Sequence, residues 1–97
     1  MPELVSQDDL NTAIAELDGW TLVEGGAAIE KVFIFKGFNA AFGFISRVAM
    51  AAERHNHHPE WSNVYNRVTI RWTTHSKAGV TELDLRLAGL CERFATA

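Results

Sequence analysis

The sequence predicts an α+β domain: a four-stranded antiparallel sheet with three helices packed on one face, in the order α-β-β-α-β-β-α. Three observations carry this expectation. Apolar residues recur at helical spacing in three separate segments, near residues 7–17, 38–54 and 81–94. Between the helical segments lie two pairs of short β-favouring runs, each pair joined by a turn signal. The chain of 97 residues has room for a single domain, residues 1–97, with no linker, repeat or low-complexity stretch.

Ser6 followed by Asp9 resembles a capping box, and Leu10, Ala13, Ile14 and Leu17 then mark one helix face before Gly19 stops it. Trp20, Leu22 and Glu24 alternate with Thr21 and Val23 as a short strand. Gly25-Gly26 turns the chain into a second strand from Ala28 to Lys36, centred on Val32-Phe33-Ile34-Phe35. From Phe38 to about Arg54 the period becomes helical. Phe38, Ala41, Phe42, Ile45, Val48, Ala49 and Ala52 fill an arc wider than one sheet-facing stripe requires, which makes this helix the hydrophobic centre. A third strand is expected over Ser62–Tyr65, with a tight turn near Asn66. Val68, Ile70 and Trp72 alternate with Thr69, Arg71 and Thr73 as a half-buried fourth strand. Thr81 with Asp84 forms a second capping-box-like pair, and Leu83, Leu87, Leu90, Cys91 and Phe94 give the last helix its seam. Such a sheet has open edges, so a homodimer or higher homo-oligomer is expected.

Composition narrows the function. Nine basic against 12 acidic residues give a formal charge of −3, without the basic footprint of a nucleic-acid binder or a membrane-surface patch. No apolar run approaches the ~20 residues that cross a bilayer. The first ten residues, MPELVSQDDL, lack the layout of a signal peptide, so a reducing, cytoplasmic location is the expectation. A single cysteine, Cys91, excludes an internal disulfide and a multi-thiolate metal site, and it reads as a small core residue.

The stretch ERHNHHPEW, residues 53–61, holds three of the four histidines. Pro59 restricts His58 to extended conformations and is expected to end the preceding helix, sending His57 and His58 in different directions. Glu53, four residues before His57, sits one turn back on the helix and is placed to orient an imidazole. His55 reads as an exposed bystander. A three-imidazole zinc site would need two nearby ligands and a distant one such as His75. Residues i and i+2 diverge on a helix and neighbouring histidines rarely face one ion, so the spacing disfavours a metal. Imidazoles that titrate near pH ~6.5 suit proton transfer instead. Nucleophilic catalysis is weaker, because no Ser or Cys is placed for a histidine to activate.

Glu53, His57-His58-Pro59, Tyr65, His75 and Asp84 also stand at the spacings of a known signature. With PEWSNVYNRVTI and FKGFNAAFGFISRVAMAAE around them, the chain resembles the pterin-4a-carbinolamine dehydratases from about residue 15 to 95. The resemblance implies loss of water from 4a-hydroxytetrahydrobiopterin to give quinonoid dihydrobiopterin, in support of tetrahydropterin recycling. It implies no metal and no organic cofactor, a dimer or tetramer, and a functional link to an aromatic amino-acid hydroxylase. By resemblance His57, His58 and His75 are the acid–base residues, Glu53 orients His57, and Trp20, Asp84 and Pro59 belong to the substrate pocket. Asp84 is also readable as a helix cap, Trp20 as core packing and Pro59 as structural. Asn56 departs from relatives that have Asp there. The same family implies an alternative, a dimerisation or coactivator-type interaction module.

Overall fold

The computed structural model describes residues 3–96. Its elements are α1 (Gln7–Glu16), β1 (Thr21–Val23), β2 (Ala28–Ile34), α2 (Phe38–His55), β3 (Glu60–Val64), β4 (Arg67–Trp72) and α3 (Glu82–Ala95). All four strands join one antiparallel sheet in the order β1-β2-β4-β3. The expected α+β class and the order of the elements are therefore observed.

Gly25 and Gly26 take φ of +67° and +92°, the left-handed region that glycine enters without a steric penalty, and so turn the chain between β1 and β2. In the second hairpin Asn63 Nδ2 donates to the carbonyls of Tyr65 and Arg67, holding the tight turn between β3 and β4. Register follows the period-2 pattern. Ile29 faces Trp72 and Phe33 faces Val68 across β2 and β4. Val68, Ile70 and Trp72 are all buried, while Thr69 and Arg71 between them are half-buried on the opposite face.

The buried side of the sheet receives all three helices. Leu10 of α1, Phe44 and Val48 of α2, and Leu87 and Cys91 of α3 join Ile29, Phe33, Ile70 and Trp72 in one core. Phe44 packs its ring 4.7 Å from Phe33 and 4.9 Å from Phe35, and a buried ring of this kind is worth ~3–5 kcal/mol on truncation to alanine. The wide apolar arc of α2 is split. Ala41, Phe44, Val48, Ala51 and Ala52 are buried, but Phe38, Phe42 and Met50 are exposed on the side turned away from the sheet. The helix is the centre of the fold along one face only. No helix among the described residues is long and apolar enough to cross a membrane.

Candidate active site

Helix α2 runs one residue past its expected end near Arg54. Its last residue is His55, and Asn56 takes φ +51°, ψ +46°, a left-handed cap. The Asn56 and His57 amides donate to the carbonyls of Glu53 and Ala52 at 3.1 and 3.0 Å. This is a Schellman-type ending, which Asn can supply because its short polar side chain tolerates the left-handed region. Asn56, three residues before Pro59, stops the helix; Pro59 lies half-buried between His58 and the start of β3. His55 stays on the helix, where its Nδ1–H donates to the Ala51 carbonyl at 2.8 Å.

With its backbone fixed by that cap, His57 swings over the end of the sheet. Its ring stacks on Trp72, centroids 5.8 Å apart and planes 13° apart. Its Nε2 lies 2.5 Å from Asp84 Oδ1. The His57 side chain is 12% exposed and that of Asp84 is wholly buried. Asp84 sits in the first turn of α3, where Thr81 and Asp84 close the expected capping box. Oδ2 of Asp84 accepts from the Thr81 N–H at 2.8 Å and from the Thr74 hydroxyl at 2.7 Å. Both carboxylate oxygens are thus engaged as acceptors. An ionised Asp84 can only accept, so the hydrogen between the two lies on Nε2 of His57, the tautomer whose Nδ1 carries none.

The two remaining histidines are also paired with carboxylates, but at the surface. His58 Nε2 lies 2.9 Å from Glu53 Oε1, and His75 Nε2 lies 3.1 Å from Glu60 Oε2. His58 and His75 side chains are 58% and 76% exposed. His75 follows Thr74 in the short 3₁₀ turn His75–Lys77 beyond β4. Glu60 faces Arg71 across the β3–β4 ladder. The Arg71 guanidinium is taken by Glu30, at 3.0 and 2.8 Å, and by Glu24. Those carboxylates, with the Glu30 hydrogen bond first, hold its pKa above the ordinary value. Glu60 is left to meet His75.

The expectation that Glu53 orients His57 is therefore corrected: Glu53 meets His58, and Asp84 holds His57. The reason is the left-handed cap at Asn56, which takes His57 off the helix face that carries Glu53. Trp20 is not brought to the histidines. It is buried, edge-on to Phe33, and its Nε1–H donates to Glu92 Oε2 at 2.9 Å, with Lys31 Nζ on the same oxygen at 2.8 Å. Glu92 lies eight residues along α3 from Asp84, ~12 Å at the helical rise.

Thr74, Trp72 and Glu60 were not singled out from sequence as site residues. Trp72 reads as the buried end of an alternating strand and Thr74 lies just past it, and only the fold puts a hydroxyl and a ring against a distant carboxylate and imidazole. Among the described residues, no three His, Cys, Asp or Glu side chains converge closely enough to hold a metal ion. Each of these three imidazoles is paired with a carboxylate and suited to proton transfer: His57 is held by buried Asp84, and His58 and His75 are solvent-accessible.

Comparison with known proteins identifies relatives of the chain. The profile of the family described as pterin 4 alpha carbinolamine dehydratase matches residues 3–94. A relative from Nitrobacter winogradskyi is 52% identical over 91% of this chain and 87% of its own. Another, from Chelativorans sp., is 47% identical over 94% of this chain and 93% of its own. Both carry, provisionally, the name pterin-4-alpha-carbinolamine dehydratase. Among solved structures, a transcriptional coactivator/pterin dehydratase from Brucella melitensis superposes with a TM-score of 0.92 at 45% identity, covering 96% of this chain and 99% of that one. A pterin dehydratase-like protein described as a RuBisCO assembly factor of the alpha-carboxysome shares the fold, with a TM-score of 0.70 at 19% identity over 81% of this chain and 92% of its own.

Proposed function

The chain belongs to the pterin-4a-carbinolamine dehydratase family, and we propose that it removes water from 4a-hydroxytetrahydrobiopterin by histidine acid–base catalysis. The observation that carries this reading is the buried His57–Asp84 pair at 2.5 Å. Dehydration needs two proton transfers. The 4a-hydroxyl is a poor leaving group and must gain a proton to depart as water, while N5 must lose one as the C4a=N5 double bond forms. His57, with Nε2–H committed to Asp84, takes the N5 proton on Nδ1 and releases it to water once the product has left. His58 or His75, both open to solvent, delivers the other proton to the hydroxyl and is reprotonated from water. One hydroxyl and two protons are accounted for, and no electron leaves the pterin. Written this way the reaction takes no cofactor, and its product, quinonoid dihydrobiopterin, is substrate for a reductive step that regenerates the tetrahydropterin used by an aromatic amino-acid hydroxylase.

The test generates the 4a-carbinolamine with a hydroxylase and follows its dehydration spectrophotometrically. The expected result is acceleration by the wild-type protein, lowered by ~10²-fold or more in His57→Ala. No acceleration by the folded wild-type protein would sink the proposal, and rates unchanged in both His57→Ala and His75→Ala would sink the acid–base assignment.

A second role, as an interaction module, draws support from α2. Phe38 and Phe42 are each more than half exposed, with ring centroids 5.9 Å apart, and Met50 is exposed on the same helix. Apolar side chains in that number on one helix favour a protein partner, in the first place a second copy, as a homodimer or homotetramer. Light scattering on Phe42→Glu checks this: the variant is expected to dissociate toward monomer, and an unchanged mass would remove α2 from the interface.

A further inference from the structure

Thr74 is buried just beyond β4, and its backbone is held on both sides. Its N–H donates to the Gly79 carbonyl at 2.9 Å and its carbonyl accepts from the Lys77 N–H at 3.0 Å, closing the loop that carries His75. The hydroxyl is therefore pinned in place rather than free to search for partners. It lies 2.7 Å from Asp84 Oδ2 and 2.8 Å from the Thr81 hydroxyl.

A hydroxyl has one hydrogen to give. Asp84 accepts on Oδ2, so the Thr74 hydrogen goes there, and the Thr81 hydroxyl donates to Thr74 Oγ1. Hydrogen bonding then runs from Thr81 through Thr74 to Asp84, with the Thr81 N–H at 2.8 Å and, as a longer shared bond, its hydroxyl at 3.4 Å also donating to the same Oδ2, and meets the His57 bond arriving at the other oxygen. Reversing any member would set two donors or two acceptors against each other in a site without water access, which costs about as much as a lost buried hydrogen bond.

We propose that Thr74 is a positioning residue: its hydroxyl fixes the rotation of the Asp84 carboxylate, and through it keeps the hydrogen of His57 on Nε2 and Nδ1 turned to substrate. The assignment rests on the dehydratase reading for its kinetic consequence but not for its structural one. The Thr74 hydroxyl touches neither His57 nor the reacting atoms; it acts through Asp84 alone.

The experiment compares wild type, Thr74→Val and Thr74→Ser. Valine keeps the shape and removes the hydroxyl, whereas serine keeps the hydroxyl. Ring ¹⁵N shifts of His57 report the tautomer, and kcat and KM report the step affected. Wild type and Thr74→Ser are expected to show a single Nε2–H tautomer. Thr74→Val is expected to show a mixture, with kcat lower by about tenfold, a part of the ~10²-fold that a general base supplies, and with KM little changed. His75 ring shifts are expected to stay where they are, because valine leaves the loop backbone intact. An unchanged His57 tautomer and unchanged kcat in folded Thr74→Val would overturn the proposal. Should that variant not fold, the wild-type spectrum decides: an Nδ1–H tautomer at His57 overturns it. A wild-type protein that does not accelerate dehydration would sink the dehydratase reading while leaving the tautomer comparison to decide this one.

Discussion

His57 with Asp84 and His58 with Glu53 are the same chemical pair in two surroundings. The first is a stacked ring and a carboxylate with no exposed surface, bonded at 2.5 Å and backed by two threonines. The second, and His75 with Glu60 beside it, sits in solvent, with side chains from 49% to 82% exposed. An exposed pair can open, rotate and exchange protons with water, and is worth little in stability. A buried pair keeps one geometry, because leaving either partner unpaired costs several kcal/mol. On the proposed acid–base reading the labour is divided by burial: the pair that presents one nitrogen in one direction is enclosed, and those that reload from water are open.

The strongest way to break this comparison is to remove the buried pair. His57→Ala and Asp84→Asn are each expected to lower kcat by ~10²-fold or more. The double variant is expected to lose little beyond either single one, because residues that act as a unit are grossly non-additive. Asp84→Ala also leaves the Thr74 hydroxyl and the Thr81 amide without their acceptor, at ~1–3 kcal/mol for each buried group, visible in urea denaturation. Two losses that multiply would mean that Asp84 acts apart from His57.

The exposed histidines are expected to behave differently. His58→Ala and His75→Ala should each cost only about twofold in kcat, and together about the ~10²-fold that a whole general acid supplies, since each can deliver the proton when the other is gone. If one single variant alone reaches the double's loss, that residue is the acid and its neighbour is a bystander. Steady-state rates of the three proteins decide it.

Burial without a charged partner provides the third case. Cys91 lies in the core beneath Trp72, and desolvation pushes its thiol from the ordinary 9.0 to about 12. The Trp72 indole opposes that push, yet its buried Nε1–H reaches no partner within hydrogen-bond geometry, so burial prevails. The folded state keeps a proton that the unfolded state gives up. The thiol's contribution is therefore fully present below pH 9 and is lost as pH climbs toward 12. Iodoacetamide at pH 8.5 should label Cys91 only after denaturation; rapid labelling of the native protein would show that the core opens there.

What was legible in the sequence follows the same division between backbone pattern and buried contact. The order of elements and the buried alternation of Val68, Ile70 and Trp72 come from periodicity, which each residue reports locally. The signature residues came from spacing alone, and spacing named His57, His58, His75 and Asp84 without showing which touch. Glu53 looked like the partner of His57 because residues four apart meet on a helix. That inference failed at Asn56, whose left-handed cap ends the helix one residue before His57. The partner that the fold supplies is 27 residues away in α3, and Thr74 reaches it from the end of β4. Such contacts depend on how α3 docks against the sheet, which no local pattern states. The surplus apolar arc of α2 was visible as excess, but only packing shows that Phe38 and Phe42 are left outside.

The smallest expected effects sharpen the comparison most. Glu53→Gln and Glu60→Gln remove the carboxylates of the exposed pairs while keeping their shape. Each should change stability by no more than ~0.5 kcal/mol. Each should change kcat by no more than about fivefold, the equivalent of the ~1 kcal/mol upper end for exposed ion pairs. Salt separates this from the buried pair. At 1 M the screening length falls to ~3 Å, so whatever small difference these variants show at low salt should disappear. The defect of Asp84→Asn should not move with salt, because no mobile ion reaches a carboxylate that has no exposed surface. If the Glu53 or Glu60 variants lose activity as heavily as Asp84→Asn, and keep that loss in 1 M salt, then the outer pairs are as rigid at work as the inner one. Burial in the free protein would then not be what divides their roles.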